Sequence, residues 1–221
     1  MIIEKQIKSS ISYTFSQLYG GSISNYQDIN NYDHSSYPSD VKYLFTKMNS
    51  KINGRHPSPQ IAHYKRTYQD VPLWVLVTDL SFGEIASMFR YLKGRCKSLV
   101  CCDFHGIQNN ILEKMLIILT KYRNICAHGN RLFNTQTQDA LPDLPAHKKL
   151  HIPKVLSRYQ YGKSDLFSAV ISLKYLLDPS DFRHFYYELK KVIKSYKPSA
   201  TTLRLMGFPS NWMSVLRIKV Y

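Results

Sequence analysis

The residues best suited to chemistry lie together in Tyr122-Arg123-Asn124-Ile125-Cys126-Ala127-His128-Gly129-Asn130-Arg131-Leu132-Phe133-Asn134. Asn124, His128 and Arg131 are spaced i, i+4, i+7 and share one face if a helix continues through them. Arg123 stands beside that face, and its long side chain can reach round to it. Gly129 interrupts helical patterning and allows a bend instead. These residue types suit RNA cleavage without a metal or other cofactor. RNA carries its own nucleophile, the 2′-hydroxyl. An imidazole titrates near cellular pH, so it can take the proton from that hydroxyl or give one to the departing 5′-oxygen. A guanidinium offers fixed charge and forked donors to the negative charge that develops on the phosphate. Asn124 can orient the imidazole or a phosphate oxygen. One motif supplies one His, whereas two motifs across a two-fold axis supply both an acid and a base, which predicts a homodimer. On spacing alone a plainer reading stands beside this one: His128 closes a helix C-terminus, where its charge is favourable, and Arg123 makes a salt bridge.

The rest of the 221 residues must position that segment. The chain is 44% hydrophobic, enough for a substantial core, and 20% charged, which is a globular composition. Lys and Arg total 30 against 15 Asp and Glu, a net charge of +15 that favours a polyanionic partner such as RNA. The opening Met1-Ile2-Ile3-Glu4-Lys5 is no secretion signal, and no two cysteines have Cys-x-x-Cys spacing. Cys96, Cys101, Cys102 and Cys126 are therefore read as idle reduced thiols. The longest apolar run, around Met115–Leu119, is too short to cross a bilayer. The reading is a cytoplasmic protein with no membrane contact.

Apolar periodicity predicts an all-α chain. Ile3, Ile7, Ile11, Phe15 and Leu18 form one stripe that Gly20-Gly21 ends. A polar loop runs from Ser22 to Pro38. Asp40 can cap a helix with Val41, Leu44, Phe45 and Met48 inward, ending at Asn53-Gly54. Ser58-Pro59 and Pro72 open two more, and Ser81-Phe82-Gly83-Glu84 has capping-box spacing. Residues 96–105 read as a loop or short connector. The strongest helix carries Ile111, Met115, Ile118, Tyr122 and Ile125 into the motif. Residues 135–153, with Pro142, Pro145 and Pro153, form an irregular excursion, and there His147, Lys148, Lys149 and His151 read as a solvated loop. Helices follow over 164–177 and 180–196, the second with Phe182, Phe185, Leu189, Val192 and Ile193 inward. A short one closes the chain near 211–218. No β-hairpin signal is present, and the pattern predicts one domain over residues 1–221.

Lys121-Tyr-Arg-Asn-Ile-Cys-Ala-His128-Gly-Asn-Arg-Leu-Phe-Asn134 closely resembles the signature of the Abi-like (abortive infection) bacterial proteins. Three further stretches resemble the same family in order: Ile3–Ser9 its opening helix, Pro72–Val75 with Leu80–Glu84 its Trp and Ser-Phe-Gly motifs, and Met206–Trp212 its closing motif. The resemblance implies a helical bundle of the HEPN superfamily, commonly dimeric, in which an Arg-x(4–6)-His motif forms a metal-independent endoribonuclease site. It puts the motif Arg on Arg123, the polar residue after it on Asn124 and the His on His128. Arg131 and Asn134 match the family's Arg-Leu-x-Asn extension. It implies core or helix-joint roles for Trp74, Ser81, Phe82 and Gly83, and packing for 206–212. Many family members have a region ahead of the helix that begins here, which implies a shortened member or half of a split system. The expected partners are RNA, a second copy, and an antitoxin or associated non-coding RNA. Lys121, Arg131 and Asn134 near the motif, with Lys190 and Lys194 on the cationic helix, are the candidate RNA contacts. The alternatives are a non-catalytic RNA- or partner-binding module on the same fold and the toxin of a toxin–antitoxin pair. A Cys126–His128 nucleophile pair is discounted, because i, i+2 residues point to different sides of a helix.

Overall fold

The computed structural model describes residues 2–219. Apart from one small hairpin its regular structure is helical, and it falls into two compact units that meet in sequence at Asn109 and Asn110.

In the first unit α1 (Ile2–Tyr19) buries Ile3, Ile7, Ile11 and Phe15 completely, as their spacing requires. Gly20 ends it at φ +91°, a conformation that any side chain resists. The expected loop after it contains a short helix, α2 (Ile23–Tyr26), and a single 3-10 turn over Ile29–Asn31. Helix α3 (Pro38–Asn53) buries Val41, Leu44 and Met48. It begins at Pro38, so Asp40 lies in the first turn, where its charge suits the helix dipole, and is not the cap. Ser58 accepts from the Ile61 N–H to start α4 (Pro59–Tyr68), and α5 (Leu73–Asp79) follows Pro72. The Ser81 capping box forms as expected: Ser81 N–H donates to Glu84 Oε2 at 2.7 Å, and Glu84 N–H to Ser81 Oγ at 3.3 Å, opening α6 (Phe82–Tyr91). The segment expected as a connector is largely a helix, α7 (Gly94–Cys102), held by buried Cys96, Val100 and Cys101. Burial pushes the Cys96 and Cys101 thiols up to about 12, so both stay protonated, and all four cysteines are free. Helix α1 packs against α5, α6 and α7, and α3 against α4, α5 and α6.

Trp74 departs from expectation. It stands 56% exposed on α5, whereas Phe82 is buried on α6 with Ile85, Met88 and Phe89. The α5 positions that face inward are Leu73, Val75, Leu76 and Val77, which leaves the indole on the outer side of this short helix.

All but the first residue of α8 (Asn109–Ala127) belongs to the second unit, where Leu112, Met115, Leu116, Ile118, Leu119, Tyr122 and Ile125 anchor it. The Pro-rich excursion contains α9 (Pro145–Lys149) and then an unexpected antiparallel hairpin, β1 (Lys154–Val155) with β2 (Arg158–Tyr159). Its two-residue turn uses Leu156 and Ser157 at φ +47° and +63°, the signs a tight hairpin turn needs, but without the Gly or Asn that usually signals one. His147 is fully buried and not solvated. Its Nδ1 accepts from the Leu144 N–H at 3.0 Å, its Nε2 donates to the Gly162 carbonyl at 2.9 Å, and its ring stacks on Tyr159. Burial lowers its pKa and keeps it neutral.

Helix α10 (Leu166–Leu176) packs on α11 (Pro179–Tyr196) and on a closing 3-10 turn over Trp212–Arg217. A further short helix, α12 (Ala200–Leu205), carries a Ser199 cap. On α11 Phe182 and Tyr186 are buried, but Val192, expected inward, is 52% exposed.

Candidate active site

Arg123–Ala127 forms the last turn and a half of α8, and His128 follows directly. Tyr122 and Ile125 hold this segment to the unit's core, and the residues between and beyond them face solvent. The helix does not continue past Ala127. Gly129 takes φ +63°, its N–H donates to the Cys126 carbonyl at 3.2 Å, and the Asn130 N–H donates to the Ile125 carbonyl at 3.0 Å. These paired bonds are a Schellman motif, with Gly in the left-handed position. His128 is therefore the C-cap residue, and its own N–H still donates to the Asn124 carbonyl at 3.0 Å.

Two consequences follow for the expected face. Lys121, Asn124 and His128, at i, i+3 and i+7, form one exposed stripe along the end of α8. Arg131 does not extend that stripe, because the chain has already turned at Gly129. It is exposed in the loop, its guanidinium 5.7 Å from the Phe133 ring centroid, and Asn134 is exposed beside it. Arg123 does reach round as its length allows: its Nη1 donates to Asn124 Oδ1 at 3.3 Å. The structure thus brings Arg123, Asn124, His128 and Lys121 to one helix end and places Arg131 and Asn134 after the turn. Lys190 and Lys194 are exposed on α11, where Lys190 lines a shallow groove of about 350 Å³ with Tyr186, Tyr187 and Arg217.

Sequence reasoning missed what fixes this end of α8. The buried Tyr122 phenol approaches two carbonyls, Thr135 at 2.8 Å and Ser164 at 3.0 Å, so its one proton is shared between the loop leaving the motif and the approach to α10. Thr137 N–H also donates to Ser164, at 2.8 Å. Next to Ser164 is Asp165, a buried carboxyl that caps α10 by accepting from the Ser168 N–H at 3.1 Å and also accepts from the Gly162 N–H at 2.9 Å. Burial pushes this carboxyl up to about 6, against the pull of those N–H donors. Gly207 presses against it: a Cβ there would overlap the Asp165 carboxyl, and the residue sits at φ +81°. The closing stretch 206–212 is thereby tied to the start of α10, and the Phe167 N–H donates to the Met206 carbonyl at 3.1 Å. The available signals were the Gly of the closing stretch and an Asp at helix-cap spacing before the apolar run from Leu166.

Among the described residues no group of three His, Cys, Asp or Glu side chains is placed to hold a metal ion. No helix among them is long and apolar enough to cross a membrane.

The family model described as Abi-like protein matches residues 1–134. The chain belongs to the Abi-like family. The match ends on Asn134, the last residue of the motif, so it takes in the first unit, α8 and the Schellman turn of this Abi-like protein, while the 206–212 stretch lies beyond it. Family membership associates the chain with abortive infection, a bacterial response to phage. No match was found among curated proteins or solved structures.

Proposed function

We propose that this Abi-like protein is a metal-independent endoribonuclease of the HEPN type that acts in the cytoplasm in phage defence. The observation that carries the reading is the exposed, locked end of α8, where Arg123 meets Asn124 and His128 caps the helix on the same stripe as Asn124. Neither Arg123 nor His128 is sequestered in an apolar niche, so both are accessible to a phosphodiester.

In the proposed reaction the RNA 2′-oxygen attacks phosphorus and the bond from phosphorus to the 5′-oxygen breaks. The 2′-proton passes to a neutral imidazole, and a protonated imidazole gives one to the leaving 5′-oxygen. The products are a 2′,3′-cyclic phosphate and a 5′-hydroxyl. Arg123 neutralises charge on the phosphoryl oxygens, and Asn124 orients Arg123 and the substrate. No cofactor enters, because the nucleophile belongs to the substrate. One chain supplies one imidazole at this site, so the acid and base come from two copies in a homodimer. Lys121, Arg131 and Asn134 hold the flanking phosphates, and Lys190 and Lys194 supply more distant contacts. An antitoxin or an associated non-coding RNA restrains the activity until infection.

The test is incubation of the purified protein with total RNA in EDTA, beside the His128→Ala variant. The expected outcome is cleavage by the wild type, with ends carrying cyclic phosphate, and a loss of roughly 100-fold or more in the variant. Equal rates in the two proteins refute the assignment. RNA retained by both without any product identifies a binding module instead.

A further inference from the structure

The exposed Trp74 belongs to an aromatic cluster in the first unit that the proposed cleavage site does not use. Its ring meets Tyr64 edge-on, with centroids 5.4 Å apart and planes at 86°. Tyr64 in turn lies 5.4 Å from Tyr68, and His63 packs edge-on against both tyrosines. Tyr68 is 64% exposed. Trp74 also lines a cleft of about 600 Å³ with Lys5, Lys8, Ser9, Val77 and Thr78. Helix α4 contributes exposed Arg66 and no acidic residue, its Lys65 ammonium donating instead to Asn53 Oδ1 at 2.6 Å, and exposed Lys5 stands on the cleft wall. Glu4, the acid lining the cleft, is paired with Lys8 at 3.4 Å.

We propose that this surface is a stacking platform for single-stranded RNA, with Trp74 and Tyr68 taking bases and Lys5 and Arg66 taking backbone phosphates. A platform of this kind needs π-faces open to solvent beside cations, and duplexes present no base faces to it. Protein interface cores share the Tyr and Trp but are depleted in Lys, whereas exposed Lys5 and Lys65 accompany the rings here. The proposal rests on the ribonuclease reading for its choice of RNA among polyanions, and it adds a contact remote in sequence from Arg123–His128.

The experiment uses the 221-residue chain carrying His128→Ala and a fluorescein-labelled oligouridine of about 12 nucleotides, read by anisotropy. Adding Trp74→Ala should weaken binding about tenfold or more, Tyr68→Ala should weaken it several-fold, and Trp74→Phe should retain most of it. Replacing Lys5 and Arg66 with Gln should flatten the dependence of log K on log salt by roughly 0.7 per cation removed. A duplex of the same length should compete poorly. The proposal is overturned if Trp74→Ala binds within twofold of its parent, if the duplex competes equally well, or if the substitution alters only self-association or retention on anionic vesicles. Should Trp74→Ala lower the melting temperature, Tyr68→Ala and the charge variants decide the matter. Trp74-dependent binding by a protein that cuts no RNA defeats the ribonuclease reading alone, and RNA cutting with binding indifferent to Trp74 and Tyr68 defeats the platform alone.

Discussion

The Tyr122 phenol lies 3.0 Å from the carbonyl of Ser164, the residue immediately before the buried, helix-capping Asp165. One shared proton therefore joins the helix that ends in the Abi-like motif to α10, which begins at Leu166 in the same unit, and Asp165 passes that tie on to Gly207.

Replacing Tyr122 with Phe keeps the ring and leaves the Thr135 and Ser164 carbonyls without the phenol. A loss of about 1–2 kcal/mol is expected from denaturant unfolding. Cleavage should fall as well, since the loop leaving the motif is no longer pinned. An unchanged denaturation midpoint would mean that ring packing alone secures this end of α8.

Gly207→Ala forces a methyl into the Asp165 carboxyl and a side chain into a left-handed backbone position. The expected cost is roughly 2–4 kcal/mol, seen as a marked fall in melting temperature. A melting temperature within a degree of wild type would show that the two residues are not in the contact described.

Asp165 makes stability depend on pH. Its folded carboxyl titrates at about 6, above the value for an unfolded aspartate, so the folded state holds the proton more tightly. The stabilising contribution is complete below the unfolded pKa and disappears as pH rises through about 6. The wild type should therefore lose roughly 2 kcal/mol relative to Asp165→Asn between pH 4 and pH 7. His147 works in the opposite sense: its lowered pKa gives stability above the unfolded value that is lost as pH falls. For this reason the difference between wild type and Asp165→Asn is the quantity to measure by unfolding at each pH. A difference that does not change with pH refutes the burial argument.

Gly129→Ala separates helix termination from chemistry. Nothing lies within 4 Å of the added methyl, so the cost is the left-handed backbone alone, about 1 kcal/mol. Gly129→Asn should cost less. If the Schellman turn positions His128, Gly129→Ala should lower the cleavage rate more than its small stability loss explains, while RNA binding stays near wild type. Parallel losses of binding and rate would argue against that positioning.

Where side-chain periodicity is strong, the sequence was informative. The stripes of α1 and α8, the Ser58 cap and the Ser81–Glu84 box all lie where spacing put them. So do Arg123, Asn124 and His128 as accessible neighbours. Helix α7 was hidden because Lys-Ser-Leu-Val-Cys-Cys shows little amphipathic pattern, and its burial rests on two cysteines and a valine. The hairpin was hidden because Leu156 and Ser157 take positive φ without a glycine. His147 read as a loop residue because its partners, a backbone N–H at Leu144 and a carbonyl at Gly162, leave no trace in side-chain spacing. Asp165 stands at helix-cap spacing before the apolar run from Leu166, but its carboxyl's acceptance from the Gly162 N–H leaves no such trace, and Gly129 resolves as a terminator only once its φ is known.

The chain holds two tryptophans, Trp74 largely open to water in the first unit and Trp212 only 6% exposed in the second. Each unit thus carries its own intrinsic fluorophore, one emitting from a wet environment and one from a dry one. Trp74→Phe and Trp212→Phe proteins, melted separately, report the two halves by wavelength: coincident transitions indicate one cooperative domain, and staggered ones indicate two that unfold in turn.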